Sequence, residues 1–120
     1  MAADDLDAGR FAAALSASEA ARRMREGALT SVELVTACLE RIRQIEPQVQ
    51  AWTFLDEGHA LEQARLADER CRSGVPTGPL NGVPIGVKDI IDTFDMPTQN
   101  GTVLHEGRLS RDDAVVVARA

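Results

Sequence analysis

The 120-residue chain contains no tyrosine, one tryptophan and three phenylalanines, so aromatic residues make up 3% of it. Any core must therefore be assembled from Ala, Leu, Val and Ile. Cysteine is nearly as scarce. Cys38 and Cys71 lie far apart, each inside a helical pattern, which excludes a disulfide framework and a paired-cysteine metal site. Both are expected to be small, buried or half-buried residues. Positive charge is in deficit, with 13 Lys+Arg against 19 Asp+Glu and a formal net charge of −6. No basic stripe can form without acidic neighbours, which argues against a nucleic-acid partner. The N-terminus has no basic stretch followed by an apolar one, and no hydrophobic run reaches the length of a membrane span. No membrane partner is expected, and the cytoplasm is the default location. Also missing are Gly-x-Ser-x-Gly, Gly-x-Gly-x-x-Gly, a phosphate-cradling glycine loop and His-Glu-x-x-His. His59 and His105 each lack a second ligand at a diagnostic spacing, so neither a metal nor a cofactor is expected.

Scarcest of all is lysine. Lys88 is the only one, and it stands in the segment Gly78-Pro79-Leu80-Asn81-Gly82-Val83-Pro84-Ile85-Gly86-Val87-Lys88-Asp89-Ile90-Ile91-Asp92. Arginine keeps its proton in proteins, whereas a lysine moved out of water can lose its own and serve as a base. Two readings of the residue stand side by side: a strand-ending lysine whose amine reaches water, and an amine wanted for chemistry.

The remaining chain reads mostly as helices. Residues 1–15 are acidic and alanine-rich, without a period, and are expected to be a flexible or weakly helical N-terminus. Ser16-Ala17-Ser18-Glu19 and Thr30-Ser31-Val32-Glu33 are capping boxes. The first opens a short helix closed by Gly27. The second opens a helix whose stripe of Leu34, Val35, Cys38, Leu39, Ile42 and Ile45 faces a core, with Pro47 as its stop. Val49 to Leu55 predicts a short strand with Trp52 and Phe54 on one face, the tryptophan in the core. Asp56 caps a third helix, striped by Ala60, Leu61, Ala64, Ala67 and Cys71 and ended by Gly74. The near-continuous apolar stretch Ile85 to Ile91 predicts a second strand, buried on both faces. An irregular loop follows from Thr93 to Thr102, and Ser110 or Asp112 caps a last helix over 113–120. Strands mixed with helices predict a layered α/β protein.

A lysine on a buried strand could act as the base of a Ser-Lys arrangement, in which a serine attacks a carbonyl carbon and backbone amides hold the oxyanion. Asp89 need not pair with it, because neighbours on a strand point to opposite faces; it could instead anchor a turn or loop. The serines present, Ser16, Ser18, Ser31, Ser73 and Ser110, all lie at helix caps, helix ends or loops, and none has a nucleophile's glycine-rich context. The residues alone thus propose a base without its nucleophile.

The Pro79-Leu80-Asn81-Gly82-Val83-Pro84-Ile85-Gly86-Val87-Lys88-Asp89 run resembles the N-terminal part of the amidase signature family. Met96-Pro97-Thr98, Asp112 to Val117, and the helices around Thr30 to Val35 and Ala64 to Asp68 resemble the same family. The resemblance implies residues 16–120 to be the N-terminal portion of a single layered α/β/α domain with a mixed central sheet. That portion would be incomplete and cut before a Gly/Ser-rich signature. It further implies hydrolysis of a small-molecule carboxylic amide to acid and ammonia or amine by a Ser–cis-Ser–Lys triad, with Lys88 as its lysine. Both serines and the oxyanion hole would lie outside these residues, so the 120-residue chain alone is expected to be inactive, and the full-length protein could be an oligomer. The A subunit of an aminoacyl-tRNA amidotransferase, in the same family, is an alternative, although Val87 to Thr93 reads closer to free-standing amidases. From another class, the amphipathic helices and missing nucleophile allow a non-catalytic helical interaction module.

Overall fold

The computed structural model describes residues 11–120. They include α1 (Ala17–Arg25), α2 (Ser31–Val49), α3 (Glu57–Ser73), the single turn α4 (Val115–Ala118) and a 3-10 turn at Val103–His105. Of the expected tail 1–15, residues 1–10 lie outside the described part. In the remainder the Arg23 guanidinium sits 4.8 Å from the centre of the Phe11 ring. The chain divides into two compact units. One, the helical unit, holds Asp56–Pro84 and, of the described residues, 11–51; the other, the loop unit, holds Trp52–Leu55 and Ile85–Ala120.

The helical unit follows its local signals closely. Ser16 caps α1 by accepting from the Glu19 amide at 3.3 Å. The reciprocal half of that box does not form, because the Glu19 carboxylate is taken by Arg22 and Arg23, each at 2.7 Å. Gly27, at φ +72°, closes α1 with two bonds: its own N–H donates to the Met24 carbonyl and that of Ala28 to Arg23. The Thr30 box is complete, with the Glu33 amide on Thr30 Oγ1 and the Glu33 carboxylate on the Thr30 amide at 2.7 Å. Pro47 does not stop α2. The helix continues to Val49 and ends on Gln50 in the left-handed region. A proline in the last turn forfeits one hydrogen bond, while the Gln50 amide still reaches the Glu46 carbonyl at 2.8 Å. Asp56 Oδ1 accepts from the His59 amide to start α3, and Gly74 at φ +70° ends it.

The core of this unit is small and largely aliphatic, as the shortage of aromatics requires. Ala20, Met24 and Leu34 form a buried cluster, against which Leu15, Leu29, Cys38 and Val83 pack. Val35, Ala37 and Leu39 of α2 and Ala64 and Ala67 of α3 are also buried where the two helices meet. Cys38 is half-buried as expected, but Cys71 is exposed, being beyond the buried stretch of α3.

The loop unit departs from expectation. No strand forms among the described residues, and the α/β prediction is met only by the helices. The segments expected as strands, 49–55 and 85–91, are without a β ladder; the bridge between Pro97 and Leu109 stands alone. Strand propensity is realised only when a neighbouring segment supplies the ladder partners, and here the chain after Asp89 turns instead. The predicted burial fails with the strand: Ile85 and Ile90 are 62% and 59% exposed. Trp52 and Phe54 are likewise outside any core, the Trp52 ring lying against Gly86. The last helix shrinks to α4 and has no side-chain cap, because it starts after Ala114, beyond the expected caps; Ser110 Oγ donates instead to the Asp112 carbonyl, and Asp113 accepts from the Phe94 amide.

Candidate active site

The Gly78–Asp92 motif is divided between the units at Pro84. Its first part belongs to the helical unit and is fastened there by polar contacts. Arg25 donates to the Pro79 carbonyl at 3.0 Å and Asn81 Nδ2 to the Ala67 carbonyl at 3.3 Å. Ser31, 1% exposed, donates its hydroxyl to the Gly82 carbonyl at 2.6 Å. Gly82 has φ +84°, and a Cβ there would stand 3.1 Å from Met24 Sδ and from Ser31 Cβ. Both the backbone angle and the space demand glycine. Asp68 of α3 completes the arrangement by accepting from the Ser31 amide at 2.7 Å and the Val32 amide at 3.1 Å, two N–H groups that α2 leaves without helical partners. A small cavity of about 40 Å³ lies beside this junction between Arg25, Asp68, Cys71 and Gly78.

The second part of the motif carries Lys88, in the loop unit. Residues 83–88 run without regular structure, and a turn begins at Asp89, where the Ile91 amide donates to the Lys88 carbonyl at 2.9 Å. The Lys88 side chain is exposed and has no ion-pair partner among the described residues. The buried strand that would have desolvated its amine is thus absent from these residues. Asp89 points its carboxylate into the following loop. Its Oδ1 accepts from the Gln99 amide at 2.7 Å and its Oδ2 from the Gly101 amide at 3.2 Å, while the Asn100 amide donates to its carbonyl at 2.9 Å. The anchoring role open to Asp89 on sequence is the one it has.

Other carboxylates extend the same pattern. Asp92 is bound by Arg108, with Nη1 on Oδ1 at 2.7 Å, and its carbonyl accepts from the Ala114 amide at 2.8 Å. The Arg108 guanidinium hydrogen bond holds the Asp92 carboxyl below its ordinary range, partial burial opposing it. Thr93 and Thr98, 2% and 1% exposed, donate to the Met96 and Ile91 carbonyls. Sequence reasoning did not single out Asp68, Ser31, Asp92 or Arg108, whose partners lie 16 to 51 residues away.

All five serine hydroxyls are engaged structurally. Ser16 and Ser18 bond each other at α1, Ser31 bonds Gly82, and Ser73 and Ser110 bond nearby carbonyls. None is presented as a nucleophile. Among the described residues no group of three or more His, Cys, Asp or Glu side chains could hold a metal ion. No helix there is long and apolar enough to cross a membrane. His105 lies in the 3-10 turn with Nδ1 2.8 Å from Asn100 Nδ2.

Residues 33–120, which include Lys88 and the whole motif, match the family model for Amidase, and the chain belongs to the amidase family. Among the curated proteins it is similar to a glutamyl-tRNA(Gln) amidotransferase subunit of Chloroflexus aggregans, 44% identical over 88% of this chain and 22% of the relative. The subunits of the same name from Myxococcus xanthus and Streptomyces coelicolor are 41% and 40% identical, over 86% and 88% of this chain and 21% of each relative. The chain spans about a fifth of the length of these relatives.

Proposed function

We propose that these residues are part of an amidase-family enzyme domain that cleaves a carboxamide C–N bond, with Lys88 as general base. The observation that carries this reading is the single lysine of the chain standing in the Val-Lys-Asp motif, inside the region matching the family. In the mechanism that the resemblance implies, the Lys88 amine takes a proton through a bridging serine from a second serine. That serine attacks the amide carbon, the C–N bond breaks, and ammonia or amine leaves carrying a proton. Water then hydrolyses the acyl-enzyme and returns the free serine. The five serines here are engaged in caps and backbone bonds, so in this reading the two triad serines are not among them and this chain by itself is expected to be inactive. Lys88→Ala in the full-length enzyme that carries this segment lowers amide turnover by about 10²–10⁴-fold, the usual weight of a general base. Turnover within a factor of two of the parent, by a normally folded protein, would falsify the assignment.

A second reading is favoured by the relatives' names: the same chemistry used to deliver amide nitrogen to glutamyl-tRNA(Gln), within an assembly of further subunits. The acidic balance against nucleic acid describes only the surface of these 120 residues and leaves that reading open. Transfer of amide nitrogen to the charged tRNA only when partner subunits are present selects it. Steady release of ammonia to water by the full-length enzyme alone selects a free-standing amidase.

A further inference from the structure

Three successive backbone amides, those of Gln99, Asn100 and Gly101, all donate to Asp89: the outer two to its carboxylate oxygens and the middle one to its carbonyl. Such convergence on one residue needs a tightly curled turn. Asn100 at φ +56° and Gly101 at φ +64° provide it, two consecutive left-handed residues that a strand or helix could not contain. The turn is itself braced. Gln99 Oε1 accepts from the Gly107 amide at 2.9 Å, and the Thr98 amide donates to the Arg108 carbonyl at 2.9 Å. The peptide carrying Lys88 is thereby fixed just after its Cα: the Lys88 carbonyl is bonded to Ile91, and the next residue is gripped through both backbone and side chain. Among the described residues no side chain holds that of Lys88, so its placement depends on the backbone beneath it.

Resting on the reading of Lys88 as the base, we propose that Asp89 is a positioning residue for it, its carboxylate clamping the Gln99–Gly101 turn so that the Lys88 amine is presented at a fixed place. Both carboxylate oxygens of Asp89 are taken by the turn amides, and Asp89 acts by holding the peptide from which Lys88 projects. Two charge-assisted bonds are a strong local restraint, and loss of about 1 Å in the placement of a reacting group costs on the order of 10²-fold in rate.

The test is a double-mutant cycle in the full-length enzyme. Asp89→Ala lowers kcat by about 10²-fold with KM little changed. Asp89→Asn, which keeps one acceptor oxygen and is the safer variant for folding, lowers it by about 10-fold. In the Lys88→Ala background neither change lowers the residual rate further, because the group being positioned is gone. An equal proportional loss in both backgrounds overturns the proposal and makes Asp89 a purely structural residue, as does a kcat unaffected by Asp89→Asn. Hydrogen exchange supplies a second measurement: the Gln99 and Gly101 amides exchange faster in Asp89→Asn, and unchanged protection overturns the clamp. Retained turnover in Lys88→Ala alone would instead remove the base assignment and this inference with it, an outcome distinct from failure of the cycle.

Discussion

The two units use the same few interactions to opposite ends. In the helical unit, hydrogen bonds from Ser31 and to Asp68 seal the start of a helix whose Leu34 is already packed on Ala20 and Met24. In the loop unit, hydrogen bonds to Asp89, Asp92 and Asp113 are the main restraint, while Phe94, Val103, Leu104 and Val116 remain exposed. The lesson is that carboxylates can order irregular backbone without an apolar core beneath it. Burial supplies most folding energy elsewhere, so such a unit should respond to different perturbations from its helical counterpart.

Truncation of the core should give the largest effect. Leu34→Ala costs the helical unit about 2–5 kcal/mol, read as a lower denaturation midpoint in the helical far-ultraviolet signal. Trp52, the only tryptophan and a member of the loop unit, reports the other side independently. An equal shift in its fluorescence would break the distinction drawn between the units. Gly82→Ala comes next, at about 2–4 kcal/mol, since it combines a left-handed backbone with a Cβ pressed on Met24 and Ser31. A neutral result there would mean that the Gly82 segment does not dock as described. Removing the acceptor for the Ser31 and Val32 amides with Asp68→Ala costs about 1.5–3 kcal/mol, again in the helical signal.

The smallest effects are electrostatic. Asp92 in the loop unit is held below the usual carboxylate range by Arg108, and Glu19 in the helical unit is lowered to about 2 by Arg22 and then Arg23. Both have folded values below their unfolded ones, so the unfolded chain binds more protons in the acid range and stability rises with pH there. The stabilisation is complete above about pH 5, just above the unfolded carboxylate values, and fades as pH falls toward each folded value. These ion pairs are well exposed, so the effect is small and screened by salt. Arg108→Gln should flatten the acid dependence of Trp52 fluorescence and leave that of the helical signal alone; the converse would reverse the assignment of these charges.

What the sequence made legible was local. Both caps, the Gly27 and Gly74 ends, the stripe of α2 and the anchoring option of Asp89 are decided by residues a few positions apart. Lys88 was legible for another reason, its singularity in composition and the specific motif around it. The misreadings needed distant information. Ile85–Ile91 has strand composition, but a strand is a relation between two segments, and no partner lies among the described residues. Pro47 was read as a stop because its missing N–H was weighed without the alternative end that Gln50 provides. Asp68 lies off the apolar stripe of α3, and nothing near it in sequence announces two amides 36 and 37 residues earlier.

That separation fixes an order of events during synthesis. At about 5–20 residues per second, Asp68 follows Ser31 out of the ribosome by roughly 2–7 s. Gly82, 51 residues after Ser31, arrives roughly 3–10 s behind it. Until Asp68 emerges the Ser31 and Val32 amides lack that acceptor, and until Gly82 emerges the Ser31 hydroxyl must bond water. The helix is therefore begun by its own neighbours and locked by chain not yet made, which makes the motif's first half the timer of the helical unit's completion.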